Sequence, residues 1–432
     1  MERDISATSD SHCDYDIVIV GGGLVGASLA LALQQHELRI ALIEAASVKT
    51  QAQPNYDDRA IALSYGSRRI LEGMGLWPQL IPFTTPIHKI HVSDRGHFGA
   101  TRINSDAEGV AALGYVITAR DLGRTLVEAI AGSSRIDIIS PARVTNVEIQ
   151  TDTARLSIDH NDSVTQAHAQ TQTQTSVFSC QLIVAADGGQ SSIRNLLKID
   201  AKQTDYHQTA IIANVSCDKP HLNIAYERFT DTGPIALLPM SPDTENNHRC
   251  ALVWTQHDTQ ADNILALDDA DFLALLQERF GKRMGRFTKV GKRASHTLHM
   301  IQTTEQVRPR LAVIGNAAHT LHPIAGQGFN LGLRDVSTLA QTLVDAQRAG
   351  RDPGDMSVLR DYAQWRKHDQ QTIRYFTDAL VRLFSNTFPP LALARNAGLV
   401  ATDILPPIKH TLARHTMGIA GKLPRLARGL PL

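Results

Sequence analysis

The chain lacks the features that most quickly assign a protein to a class. Its 432 residues hold only 4 cysteines, Cys13, Cys180, Cys217 and Cys250, and no Cys-x-x-Cys pair. A disulfide framework and a cysteine-based zinc site are therefore disfavoured, and a reducing compartment is expected. No apolar run reaches the roughly 18–20 residues that a membrane span needs. Excess charge of one sign is absent too: 43 basic residues balance 43 acidic ones, which removes the global field that would draw the chain to nucleic acid. The first thirteen residues are polar and lack a signal-peptide core, so residues 1–13 read as a flexible leader on a cytoplasmic protein. No repeat of solenoid period is present.

The neutral total hides an asymmetry. From residue 391 onward there are six basic residues, Arg395, Lys409, Arg414, Lys422, Arg425 and Arg428, against the single acid Asp403, which makes this tail about +5 and the rest about −5. Such a tail suits an anionic membrane or another subunit. The alternative is a solvated C-terminal helix.

What the chain does have is glycine at informative places. Tyr15-Asp16-Ile17-Val18-Ile19-Val20 is a near-continuous apolar run, as expected of a strand buried on both faces of a parallel sheet. It leads into Gly21-Gly22-Gly23-Leu24-Val25-Gly26, an Ala- and Leu-rich helix over about 24–36, and a second strand over 38–44. This is a βαβ unit of dinucleotide-binding type. Gly21 permits the tight turn, Gly23 lets backbone approach a pyrophosphate, and Gly26 lets helix and strand pack closely. Glu44 closes the second strand 18 positions after Gly26, where an acid accepts hydrogen bonds from a ribose diol.

Almost three hundred residues later a strand over 311–314 runs into Gly315-Asn316-Ala317-Ala318-His319, then His322-Pro323-Ile324-Ala325-Gly326-Gln327-Gly328-Phe329-Asn330. A helix from about Gly328 offers unpaired N–H groups and a positive dipole end to whatever binds there. Two such loops imply one long cofactor. Between them, a buried strand ends in Asp187-Gly188, with Ser191 three residues before Arg194. By residue chemistry alone these are a turn and a helix N-cap.

Short β-type segments over about 86–103 and 202–300 suggest one antiparallel sheet inserted in pieces. The run 163–176, with repeated Thr-Gln, reads as a long solvated hairpin loop. Over 356–384, Leu359, Tyr362, Trp365, Tyr375, Phe376, Leu380 and Leu383 recur at helical spacing, predicting a long amphipathic helix, broken at most once, whose aromatics serve core packing rather than a cofactor.

The three glycine-centred motifs, in this order, resemble the class A flavin-dependent aromatic monooxygenases typified by p-hydroxybenzoate hydroxylase, over roughly residues 14 to 385. Closer still are the ubiquinone-biosynthesis hydroxylases, matched at Asp58-Arg59-Ala60-Ile61-Ala62-Leu63-Ser64, at Glu227-Arg228-Phe229 with Gly233-Pro234-Ile235-Ala236-Leu237-Leu238-Pro239, and from Gly315 to Asp335. The resemblance implies an α/β fold: a Rossmann-like FAD-binding domain (14–85, 104–201 and 299–350), an inserted β-sheet substrate domain (86–103 and 202–298), and a helical C-terminal region (351–432) carrying the basic tail. It also implies FAD-binding roles for Arg59 and Arg120, contacts from Asp187 and Arg194 to FAD and the pyridine nucleotide, and binding at Gly315, Asn316, Gly326, Gln327, Gly328 and Asn330. Asn316 departs from the aspartate of the broader class, yet an amide still bonds a hydroxyl.

By the same resemblance, NADPH or NADH reduces FAD, and O₂ adds to give a C4a-hydroperoxide that hydroxylates a polyprenylated phenol such as 2-octaprenyl-6-methoxyphenol. A phenol ionises near pH 10, so forming phenolate at pH 7 costs roughly 4 kcal/mol. Candidates for handling the ring are His322 with its neighbour Pro323 beside the flavin, and Tyr226 and Arg228 on the predicted substrate sheet. Each also has an ordinary reading as a packing or surface residue. The repeated His-Thr-Leu-His at His296/His299 and His319/His322 lacks a completing carboxylate or cysteine, so no metal is expected. A prenyl tail of such length ties substrate to the bilayer, which implies peripheral membrane contact or other ubiquinone-biosynthesis proteins as partners. A flavin-dependent prenyl or quinone reductase of the same fold, and a non-catalytic flavoprotein scaffold, are the alternatives.

Overall fold

The computed structural model describes residues 13–47, 59–160, 174–243, 247–320, 326–384 and 388–432. The 1–12 leader, Asp58, most of the 163–176 run and the His322-Pro323 pair lie outside the described residues.

Five parallel strands lie side by side: Ile136–Ile139, Ile40–Ile43, Tyr15–Val20, Gln174–Ala185 and Leu311–Val313. Ile17, Val18 and Ile19 are fully buried, as a strand covered on both faces must be. The order in which strands were added reverses between Tyr15–Val20 and Gln174–Ala185, so the glycine turn and Asp187 leave the sheet at the switch point where such folds bind ligands. Every residue of the Leu24–Leu33 helix from Gly26 on is buried, because sheet and the Gln327–Arg348 helix cover it from both sides. That is why Ala and Leu ring its whole surface.

The second sheet runs His319–Thr320, Ala294–Thr303, Ala201–Cys217, His248–His257, Gly233–Met240, Ile224–Thr230, Lys89–Asp94, Ala100–Asn104. It is antiparallel except where Ile224–Thr230 meets Lys89–Asp94 in parallel, a joint between chain segments that no hairpin links. Thr85–Ile87 instead joins a small sheet with Gly114–Thr118 and Ala60–Ser64. His296 and His299 sit on the Ala294–Thr303 strand.

The Met356–Phe384 helix is continuous over 29 residues, about 43 Å at 1.5 Å per residue. Its start packs Leu359 and Tyr362 into the first core. Its far end reaches the second sheet, where Phe384 stacks on Phe229 with ring centroids 3.5 Å apart. The aromatic stripe therefore does two jobs, because the helix is longer than the core it starts in.

The basic tail is built into the fold. The Pro389–Ile404 and Pro406–Thr416 helices lie against the second sheet, and the chain then returns to the first core, burying Leu426 and Ala427. Four of its six basic side chains are engaged: Arg395 with Asp94, Arg425 with Asp345, Lys409 with Asp403 at 3.2 Å, and Lys422 over the Trp365 ring at 4.2 Å. Among the described residues no helix is long and apolar enough to cross a membrane.

Candidate cofactor and substrate site

A cavity of about 1320 Å³ lies between the two sheets. One ligand-sized pocket spans about 300–1,000 Å³, so this one has room for a cofactor and a second molecule. One end is lined by Gly21, Gly23, Glu44, Arg59, Asp187 and Asn316, and by the turn from Gly326 to Asn330.

The glycines act as the spacing predicts, each for a separate reason. A Cβ on Gly26 would sit 1.9 Å from the Gly21 carbonyl oxygen, and one on Gly21, whose φ is +104°, would sit 2.6 Å from that of Ala186. Gly23 caps the helix and faces open space, as does Gly328. Glu44 is buried and accepts from the Gly22 and Ala46 N–H groups at 2.6 and 2.9 Å. A carboxylate has about four acceptor positions, so capacity remains for a diol. Asp187 accepts from Ser192 and the Ile193 N–H through Oδ2, while its buried Oδ1 has no partner among the described residues.

Several predicted residues stand behind the site rather than in it. Arg194 is buried, donates to the Gly189 carbonyl, and leaves Nε and Nη1 without partners among the described residues; burial pushes its pKa down. Gly315 packs on Val25. Arg120 is exposed on the first turn of the Ala119–Ala131 helix and does not line the cavity. Asn330 lines the wall, but its amide is fully used: Oδ1 accepts from the Ser64 N–H and the Ser67 hydroxyl, and Nδ2 donates to the Ala62 and Gly326 carbonyls. It locks the Gly326 turn, with Gly326 at φ +60°, onto the Ala60–Ser64 strand.

Beneath the turn lies a buried charge network that the sequence motifs do not announce. Asp335 accepts from His319 at 2.6 Å, Arg366 at 2.8 Å, Gln370 at 3.0 Å and the Gly315 N–H at 3.0 Å. Burial alone would raise this carboxyl, but His319 and Arg366 outweigh it and hold the group well below the usual carboxylate range. The network ties the Gly315 loop to both long helices.

The other end of the cavity is apolar: Phe376, Leu380, Leu383 and Phe384 from the long helix, Leu399 and Ile408 from the terminal helices, and the facing side of the second sheet. Sheet alternation decides which residues of Ile224–Thr230 face it. Ala225, Glu227 and Phe229 do, whereas Tyr226 and Arg228 project toward the opposite face. Tyr226 borders the cavity, but its ring packs edge-on against Phe280 at 5.8 Å and tilts against His91. Arg228 lines a separate pocket with Arg283 and Ser93. The expectation that Arg228 lines the ring pocket is thus corrected by the two-residue period, and that same period points to Glu227.

The FAD binding domain family matches residues 14–374 of this chain. The ubiquinone hydroxylase UbiL of Rhodospirillum rubrum is 36% identical, over 96% of this chain and 93% of the relative. The 3-demethoxyubiquinol 3-hydroxylase of Escherichia coli is 28% identical, over 94% and 98%. Among solved structures, p-nitrophenol 4-monooxygenase PnpA from Pseudomonas putida superposes with a TM-score of 0.75 at 16% identity, covering 94% of this chain and 98% of that one, a likeness of fold. With that fold, that match and that cavity, the chain belongs to the FAD-binding-domain family and, within it, to the flavoprotein monooxygenases of the ubiquinone-hydroxylase group.

Proposed function

We propose that this protein uses FAD, NADPH or NADH, and O₂ to hydroxylate the ring of a polyprenylated phenol of the 2-octaprenyl-6-methoxyphenol type. The observation that carries the reading is a single cavity with dinucleotide-binding loops at one end and an apolar, sheet-walled chamber at the other. The loops suit FAD by their own geometry. Gly23 and the helix start it caps would hold the pyrophosphate, Glu44 the ribose, Asn316 a hydroxyl of the ribityl chain, and the turn at Gly326, Gln327 and Gly328 the ring. Bound there, FAD supplies the oxygen-activating redox chemistry. The protein's part is to orient the phenol and exclude water, which the aliphatic and aromatic lining supports.

The prenyl chain needs a route from a lipid phase. Ile404, Leu405, Pro406, Pro407 and Ile408 are all exposed where the two terminal helices meet, and Ile404 is 68% accessible. Phe98, 60% accessible, lines the same small pocket as Ile404. Ile408 belongs both to this surface and to the cavity wall. Contiguous exposed apolar groups of this kind suit peripheral contact with a bilayer. This supports membrane contact through an apolar elbow, where charge counting pointed to a basic tail.

The test is mass analysis of a short-chain prenylated phenol incubated with protein, NAD(P)H and ¹⁸O₂. Incorporation of one labelled oxygen atom per NAD(P)H is expected. Reduction of the substrate without oxygen uptake would establish the reductase instead.

A further inference from the structure

We infer that Glu227 accepts the proton of the substrate's ring hydroxyl as the ring is hydroxylated; the inference rests on the phenol-hydroxylase reading above. The register places Glu227 beside Ala236 and Val92, with Val253, Ile212 and Thr101 continuing the same row across the sheet. All of these line the cavity, and Glu227 is the one ionisable side chain in the row. Two residues away, Ala225, Ile90 and Ile103 continue an apolar wall. Among the described residues the Glu227 carboxyl has neither a hydrogen-bond nor an ion-pair partner. A half-buried carboxyl set in an otherwise apolar row of the cavity wall, with no partner among the described residues, is placed for a ligand to use.

Other charged or titratable groups also line the cavity. Arg395 is paired with Asp94. His296 and His299 belong to a different strand of the sheet, and Glu44, Arg59, Arg143 and Asp187 border the cavity as well. Tyr226, next in sequence, projects its ring to the other face. Burial, rather than any of these charges, pushes the Glu227 carboxyl up to about 7. That value narrows the gap to a phenol near 10, so a base of this strength transfers the proton more readily than an ordinary carboxylate at neutral pH. In the step, the phenolic O–H bond breaks and its proton passes to a Glu227 carboxylate oxygen. The released electron pair feeds the ring, which forms its new C–O bond to one atom of O₂ as the O–O bond breaks; the second oxygen atom leaves as water, the two electrons come from NAD(P)H, and the displaced ring C–H proton is lost to solvent as the ring rearomatises. The carboxyl then returns the proton to solvent.

Two measurements test this. First, binding of a non-reactive phenol to the flavin-loaded protein, followed by tryptophan fluorescence, should weaken about tenfold between pH 8 and pH 6, since a carboxylate accepts more strongly than the neutral acid. In Glu227→Gln the profile should be flat. Second, Glu227→Gln should lower kcat/KM for an ordinary phenol by about 10²- to 10⁴-fold and abolish the rise in rate through pH 7. For an acidic nitrophenol, ionised before it binds, the wild-type advantage should vanish. A wild-type binding profile that is flat with pH, or a Glu227→Gln variant with wild-type rate and pH dependence, overturns the inference. The wild-type profile needs no variant, so the test survives a substitution that misfolds. If binding titrates as expected and yet no oxygenated product forms, the hydroxylase reading fails while Glu227 stands as the hydroxyl acceptor.

Discussion

Replacing Glu227 by Gln should make the protein more stable at neutral and alkaline pH. The carboxyl ionises near 4.5 when unperturbed and near 7 in the folded chain, with burial as the cause. Because the folded value is raised, the sign is fixed. Below about pH 4.5 both states keep the proton and nothing is lost. Between 4.5 and 7 the unfolded chain releases its proton while the folded one holds it, so stability falls; above 7 the loss is complete. The gap of about 2.5 units at 1.36 kcal/mol each corresponds to about 3 kcal/mol. Glutamine keeps the shape and the polarity of the neutral acid, so the difference isolates the charge. Unfolding free energies of both proteins, from denaturant titration at equal flavin loading, should differ by about 3 kcal/mol at pH 8 and by less than about 1 kcal/mol at pH 5. A variant no more stable than wild type at pH 8, or a difference that does not grow with pH, would show that the carboxyl is not held in an apolar chamber. Gain of stability on removing a group needed for activity is the usual trade at functional sites.

The glycine turn offers a paired comparison. Gly26→Ala forces a carbon onto the Gly21 carbonyl and should cost stability as well as flavin, whereas Gly23→Ala, with open space around it, should leave the melting temperature of flavin-free protein unchanged and weaken FAD at least about tenfold, equivalent to about 1.4 kcal/mol. Equal effects of the two on flavin-free stability would refute the assignment. Asp335→Asn leaves Arg366 buried with Asp369 as its one counter-charge among the described residues, and should cost about 3–5 kcal/mol in denaturant unfolding; a loss below about 1 kcal/mol would mean the network is peripheral. Substituting Ile404, Leu405 and Ile408 together by Ser should lower co-sedimentation with liposomes at unchanged flavin absorbance, and undiminished binding would place membrane contact elsewhere.

The first βαβ unit, the late glycine turn and the long helix could be read from residues alone, because their signals are local: a buried apolar strand, glycines at fixed offsets, aromatics at a period of 3.6. The presence of a two-ended cofactor follows from the same motifs. What could not be read was which side of a strand looks inward. Tyr226 and Arg228 look more reactive than their neighbour, but only the sheet's place against the long helix gives the Glu227 side to the cavity. An alternation of Ala225, Glu227 and Phe229 around two polar residues was the one trace of it. Asn330 was likewise chosen for ligand binding, while three of its four hydrogen bonds, those to the Ala60–Ser64 strand and Ser67, are invisible until residues 263 to 268 positions apart are brought together.

The terminal segment shows the same division. Charge counting along the chain sees a basic tail; the fold neutralises Arg395 with Asp94 and Arg425 with Asp345, and exposes Ile404, Leu405 and Ile408 instead. By itself the sequence determined that the chain binds a dinucleotide and where its loops lie, because backbone conformation and strand burial depend on near neighbours. Only the tertiary structure decided which carboxyl faces the chamber, which arginines are already neutralised and which apolar groups face solvent, because those depend on partners far away in the chain.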